Sequence, residues 1–274
     1  MGKVPNIPYI DDLERAKNHP QNNASDEDID SLIEQISELK DTDGWEVDRI
    51  IGDLDKLRYM VTANYEDLEE ALSDFKNSNE SITSDQSKRL AWDVVRYLIN
   101  FVAVTKALSE HLVGGNMNMR NQEPLLCQLE KLESGSGIIS DFEAKEENLE
   151  LHYYRSFFNN LRDIYLHEAY LPPRSKHTFQ LHPEDTPEKD VIIKRDRLQP
   201  ENQNWWDSPS QYYLYNIQRS DMSISDSCAN YHELLVELLD WLSTEIRNRF
   251  QTELNELTNQ GESIEQRHKH LDLP

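Results

Sequence analysis

Apolar residues recur at three- and four-residue intervals over most of this chain, the period at which side chains share one face of an α-helix. In DEDIDSLIEQISELK the apolar set is Ile29, Leu32, Ile33, Ile36 and Leu39, behind a cap at Ser25 or Asp26. That spacing predicts an amphipathic helix ending near Asp41 to Gly44. From Trp45 a longer helix carries Ile50, Ile51, Leu54, Leu57, Met60, Val61, Tyr65, Leu68, Leu72 and Phe75 in one stripe, until NSNESITSDQS interrupts it. A third runs from about Gln86 to the breaker Gly114-Gly115 and holds Leu90, Val94, Tyr97, Leu98, Phe101, Val102, Val104 and Leu108. Its apolar share makes it the helix expected deepest in the core.

A short helix is expected near Leu125 to Leu132, followed by a flexible ESGSG segment. Ser140 or Asp141 then caps a long helix that continues to Tyr170, where Pro172 and Pro173 forbid further winding. Over residues 174–225 the period is lost, and the β-branched run DVIIK suggests a small hairpin between Thr178 and Leu198. The last helix begins near Asp226 and aligns Tyr231, Leu234, Leu235, Leu238, Trp241, Leu242, Ile246, Phe250, Leu254 and Leu257. The polar ends, 1–25 and 259–274, read as loose tails. The expected organisation is an acidic helical extension over 26–80 and a bundle over 86–258 with an insertion at 174–225. The fold class is all-α, an irregular antiparallel helical bundle. The scarcity of glycine, 8 residues in 274, agrees with it.

Charge changes the picture from fold to partners. The net charge is −24, which argues against a surface built to track duplex DNA. The acid is uneven: residues 26–80 hold 18 acidic and 5 basic side chains, whereas residues 155–197 hold 7 acidic and 8 basic. The acidic helices are a solvated face or the mark of a high-salt source, the alternative being a mimic of nucleic acid or a repulsive guard. Cys127 and Cys228 are the only cysteines and have neither zinc-site nor disulfide spacing, so a reduced, cytoplasmic setting is expected. The longest apolar stretch, YLINFVAVTKAL, is too short and too polar to span a bilayer, and no export signal is visible.

The non-acidic window contains LRDIYLHEAYLPP, residues 161–173. At about 100° per residue with Arg155 as origin, Tyr154, Phe157, Phe158, Leu161, Ile164 and Tyr165 fall between roughly 180° and 300°. Arg162, Arg155, Asn159, Tyr170, Asp163 and His167 lie on the other side, with Leu166 among them. A guanidinium grips phosphate oxygens in a fork and an imidazole moves protons near neutral pH, the two tools of phosphodiester transfer. Asp163, one turn before His167, is placed to orient the ring. Nothing here calls for a metal or another cofactor. On an ideal helix Arg162 and His167 stand about 140° apart, so two copies packed about a two-fold axis would aim them better than one.

The run Arg162, Asp163, Ile164, Tyr165, Leu166, His167 on a late bundle helix resembles the Arg-x4-His motif of the HEPN superfamily. Tyr170 stands one place later than the Tyr that some members carry after the His. The resemblance covers the bundle over about residues 87–258, while the acidic first 80 residues and the segment 174–225 fall outside it. It implies a metal-independent endoribonuclease working on single-stranded RNA as a homodimer, in a toxin or antiviral defence arrangement. Arg162 and His167 would form the composite site and Asp163, Asn159 and Tyr170 would support it. The cut would come from attack by RNA's own 2′-hydroxyl, and Arg155, Arg174 and Lys176, the basic residues flanking the motif, are expected to bind the substrate. The competing reading is a noncatalytic binding or regulatory module that engages a protein partner through its acidic N-terminal helices.

Three other stretches carry weaker signals. QNWWDSPSQYYLY is either a platform for unpaired bases or a set of aromatic plugs holding a loop to the bundle, with the plugs favoured. Lys194 to Arg197, KRDR, is an RNA contact or a solvated turn, and RHKH near the C-terminus, on a floppy tail with no carboxylate partner in register, is a poor metal site. No nucleophile elbow, P-loop or dinucleotide fingerprint is present.

Overall fold

A computed structural model describes residues 7–19, 24–77, 85–114, 123–168, 174–178, 188–194, 198, 206–217 and 221–271. Within them the helices are α1 (Ile10–Lys17), α2 (Asp26–Lys40), α3 (Asp43–Asn77), α4 (Asp85–Val113), α5 (Leu125–Glu130), α6 (Ile138–Asn148), α7 (Leu151–Asp163), α8 (Ser208–Tyr212), α9 (Ile224–Arg249) and α10 (Gln251–His270). A small antiparallel sheet joins β1 (Arg174–Thr178), β2 (Glu188–Ile193) and β3 (Met222–Ser223) in that order. The fold class is all-α, as the apolar period requires, with this small sheet as a minor addition. No helix among the described residues is long and apolar enough to cross a membrane.

The chain forms two compact units. The first comprises Met1–Leu54, Gln128–Ser136 and Leu242–Pro274. Its core gathers Leu13, Ile29, Leu32, Ile36, Leu39, Leu257 and Ile264 from α1, α2 and α10. α2 starts where Ser25 Oγ accepts from the Asp28 amide at 3.1 Å and donates back to the Asp28 carboxylate, satisfying an otherwise orphaned amide. A Cβ on Gly44 would meet the Glu253 carbonyl at 2.5 Å, so only glycine lets α3 begin this close to α10.

The second unit comprises Asp55–Cys127 and Gly137–Trp241. Aromatic rings dominate its core: Phe101, Phe157, Phe158, Tyr213 and Tyr231 are all fully buried. Phe158 stacks on Tyr231 at 5.0 Å and 9°, and Phe157 on Tyr213 at 4.3 Å and 21°. β1 pairs with β2 so that Arg174 faces Ile192 and Thr178 faces Glu188, and Val191, Ile192 and Ile193 are buried. Free Cys228 is buried in this core and Cys127 is half-buried.

Several expectations are corrected. The supposed tails hold α1, with Leu13 buried, and most of α10, with Ile264 buried, because each docks an apolar residue on α2. ESGSG is not flexible: Glu133–Gly135 form a 3₁₀ turn with Gly135 buried. The long motif helix is two helices. α6 starts after Gly137 at φ 83°, and Glu150 at φ 53° breaks the chain before α7. The last helix likewise resets at Phe250. The hairpin strands lie earlier than expected, at 174–178 and 188–193, and gain a third partner in β3. Met60 is 48% exposed, because the buried seam of α3 passes through Val61, Tyr65, Leu68, Leu72 and Phe75, and position 60 stands about 100° off it.

Candidate functional site

α7 is placed by its apolar face: Leu151, Phe157, Phe158 and Leu161 are buried, and Ile164 continues the stripe. Two polar ties fix its rotation. On one side Arg155 donates to Ser109 Oγ of α4 at 2.9 Å and pairs with Glu146 of α6. Arg155, expected to bind the substrate, is instead committed to bracing three helices of the same unit. On the other side Ser156 Oγ donates to Asp207 at 2.6–2.7 Å, and Asn160 Nδ2 donates to Ser210 Oγ at 2.9 Å.

Asp207 also caps α8 by accepting from the Ser210 amide at 2.9 Å. Burial acts to raise its carboxyl pKa, but hydrogen bonds from Ser156, Ser210 and Asn160 outweigh burial and hold it below the usual carboxylate range. The sequence carried a sign of this cap in DSPS, an Asp ahead of a helix with proline in its first turn.

Arg162 occupies the last turn of α7. Its side chain is 18% exposed, and its Nη2 donates to Asp163 Oδ1 at 2.9 Å, while Asp163 is 50% exposed. The buried Arg162 Nε has no hydrogen-bond partner among the described residues. Asp163, expected to orient His167, is thus engaged by Arg162. Asn159 is half-buried on the same helix.

Directly after Asp163 the winding changes. Ile164–Glu168 form a π-helical turn that contains the backbone of His167. In an ideal α-helix, five residues separate two positions by about 140°. In π winding each N–H reaches back five residues, which spreads one more residue into the turn and draws positions 162 and 167 toward one side. Among the described residues no group of three or more His, Cys, Asp or Glu side chains is arranged to hold a metal ion.

The remaining expected residues divide by what is described. Arg174 and Lys176 lie on β1, opposite Ile192 and Asp190. The side chains of His167, Arg174 and Lys176, and the whole of Tyr170, lie outside the described residues. In QNWWDSPSQYYLY the plug reading describes Trp206 and Tyr213, both buried against Phe157, while Tyr212 and Tyr215 are 39% and 49% exposed. Of KRDR, Lys194 pairs with Asp221 at 3.3 Å and 195–197 are outside the described residues. RHKH is the end of α10, with Arg267 donating to Ser31 and Lys269 to Glu265.

One group was missed altogether. On α4, Arg89 is exposed, Trp92 is 56% exposed and the Arg96 side chain is 60% exposed. The sign was that Trp92 falls outside the apolar repeat of its helix. Comparison with protein-family models, curated proteins and solved structures finds no match to this chain.

Proposed function

We propose that this chain is a metal-independent endoribonuclease of the HEPN type that cuts single-stranded RNA as a homodimer. The observation that carries the reading is the helix end itself. A mostly buried arginine is anchored at the last turn of α7, and the widened π turn that follows holds the histidine. Such turns recur at functional sites because they displace a helix face at a cost that packing must offset. The motif spacing is the second support.

In the proposed reaction an imidazole takes the proton from a ribose 2′-hydroxyl. The 2′ oxygen bonds to the adjacent phosphorus, the P–O5′ bond breaks, and the 5′ oxygen receives a proton. The products are a 2′,3′-cyclic phosphate and a 5′-hydroxyl. Arg162 steadies the charge gathered on the non-bridging oxygens. The second copy brings a second His167, so that one ring accepts a proton while the other donates.

The test is cleavage of a single-stranded RNA in EDTA. His167→Ala and Arg162→Ala should each lower the rate at least about 100-fold, the range for a general acid–base or an oxyanion donor. A 2′-deoxy substitution at the scissile nucleotide should block the cut. Cleavage that survives His167→Ala, or that proceeds on the 2′-deoxy strand, refutes the proposal. The Arg162–Asp163 contact favours the second reading, a noncatalytic module, and a folded wild-type chain that leaves RNA intact decides for it.

A further inference from the structure

The exposed face of α4 is chemically unlike the rest of this acidic chain. Taking Arg89 as origin, Trp92 stands near −60° and Arg96 near −20°, so the three share one narrow sector of the helix. The opposite side of the same helix buries Ala91, Val94, Val95 and Leu98. The stripe is therefore not part of the apolar seam. Arg96 lies over the Tyr97 ring at 4.6 Å and pairs with Asp93 at 3.2 Å, contacts that a phosphate bound at this face would have to share.

Charge points the same way. Residues 85–106 carry Lys88, Arg89, Arg96 and Lys106 against Asp85 and Asp93, a net of +2 in a chain of net −24, although both acids lie within about 40° of Arg89 and the two lysines stand about 100° from it. An exposed indole between two guanidinium groups offers a stacking face and two phosphate grips within about 10 Å of helix rise. The ligand that needs both is an anionic chain with accessible planar faces. Duplex nucleic acid hides those faces, whereas a single strand presents them.

We propose that the α4 face formed by Arg89, Trp92 and Arg96 binds single-stranded RNA, with Trp92 stacking on an unpaired base and the two guanidinium groups holding its flanking phosphates. The class of ligand rests on the ribonuclease reading. The site does not: Trp92 lies about 25 Å along α4 from Ser109, where that helix meets Arg155 of α7. It would serve to retain substrate rather than to cut it.

The experiment is fluorescence anisotropy with a fluorescein-labelled 2′-O-methyl oligouridylate of about 12 nucleotides, which resists 2′-hydroxyl attack, titrated with the full chain at low salt. Trp92→Ala should weaken binding about 5- to 100-fold, the range for loss of one stacked base. Arg89→Ala with Arg96→Ala should also weaken it and flatten the log K against log salt slope by about 1.4. Tyr59→Ala, which removes a 74%-exposed ring elsewhere on the same unit, should change nothing.

Binding that Trp92→Ala leaves intact overturns the stacking site. Equal displacement by a poly-glutamate peptide identifies an acidic protein as the occupant and overturns it too. Absence of binding by the wild type also overturns it. In each case a chain that still cuts RNA through His167 leaves the catalytic reading standing.

Discussion

His232 shows what burial does to a single titrating group. Its ring stacks on Tyr65 at 4.2 Å and 8°, and its Nε2 lies 3.3 Å from Thr62 Oγ1. Burial pushes its pKa below the ordinary histidine value, and the nearby Glu69, Glu233 and Glu66 pull the other way without reversing it. The folded chain therefore keeps a neutral ring where the unfolded chain, titrating near 6.5, has taken a proton. Stability from this site is complete above about pH 6.5 and falls as pH drops toward the lower folded value. His232→Phe keeps a flat ring and removes the proton site. Urea midpoints at pH 7.5 and 5.5 should fall less in the variant than in the wild type, and an equal fall would refute the assignment. Glu69 has a second role in this cluster, accepting from the Tyr65 hydroxyl at 3.0 Å, so Glu69→Ala is a poorer probe than the histidine substitution.

At the scale of elements the two ends of α6 make opposite demands. Gly137 precedes the helix at φ 83° and Glu150 follows it at φ 53°, both in the left-handed region that L side chains enter at a cost. Gly137→Ala should lower stability by about 1 kcal/mol, and Glu150→Gly should raise it by a comparable amount, since only the second relieves a Cβ. Chemical denaturation measures both, and two shifts of the same sign would contradict the account. This break also marks the limit of what the sequence disclosed. The face carrying Phe157, Phe158, Leu161 and Ile164 was legible because helical spacing alone sorts it, and all four are buried. The break at Leu149 and Glu150 was not, because neither is a glycine or proline and the turn is imposed by packing on either side. The π turn after Asp163 has no local signal for the same reason. Helix α1 and the part of α10 beyond residue 258 were read as tails because Leu13 and Ile264 are isolated in polar text and are held by α2, far away in sequence. Of the candidate site, the polar side of the helix carrying Arg162 and Asp163 could be read from spacing. The commitment of Arg155 to Glu146 and Ser109 could not, since both partners come from other helices.

For the whole molecule the deciding quantity is the surplus of 52 acidic over 28 basic side chains. Several ion pairs offset it locally, among them Arg58–Asp240 and Lys145–Glu237 in one unit and Lys17–Asp30 in the other, but each has a well-exposed partner. Exposed pairs of this kind contribute about 0–1 kcal/mol each and lose strength in salt. The unpaired acids repel one another over the Debye length, which shrinks from roughly 20 Å near 20 mM salt to roughly 4 Å near 0.5 M. Salt therefore weakens two opposing effects, and their sizes decide which prevails. The ion pairs are short-range and partly protected by contact, whereas the repulsion of a −24 chain is long-range and fully open to screening. The melting temperature should rise between 20 mM and 0.5 M sodium chloride. A steady fall over that range would mean that the ion pairs outweigh the net charge. The same field bears on RNA. At low salt the global repulsion would oppose the proposed attraction of Arg89 and Arg96 for RNA, so the slope of log K against log salt should be shallower than the −1.4 expected of two phosphate contacts alone. A slope steeper than that would locate further cationic contacts beyond α4.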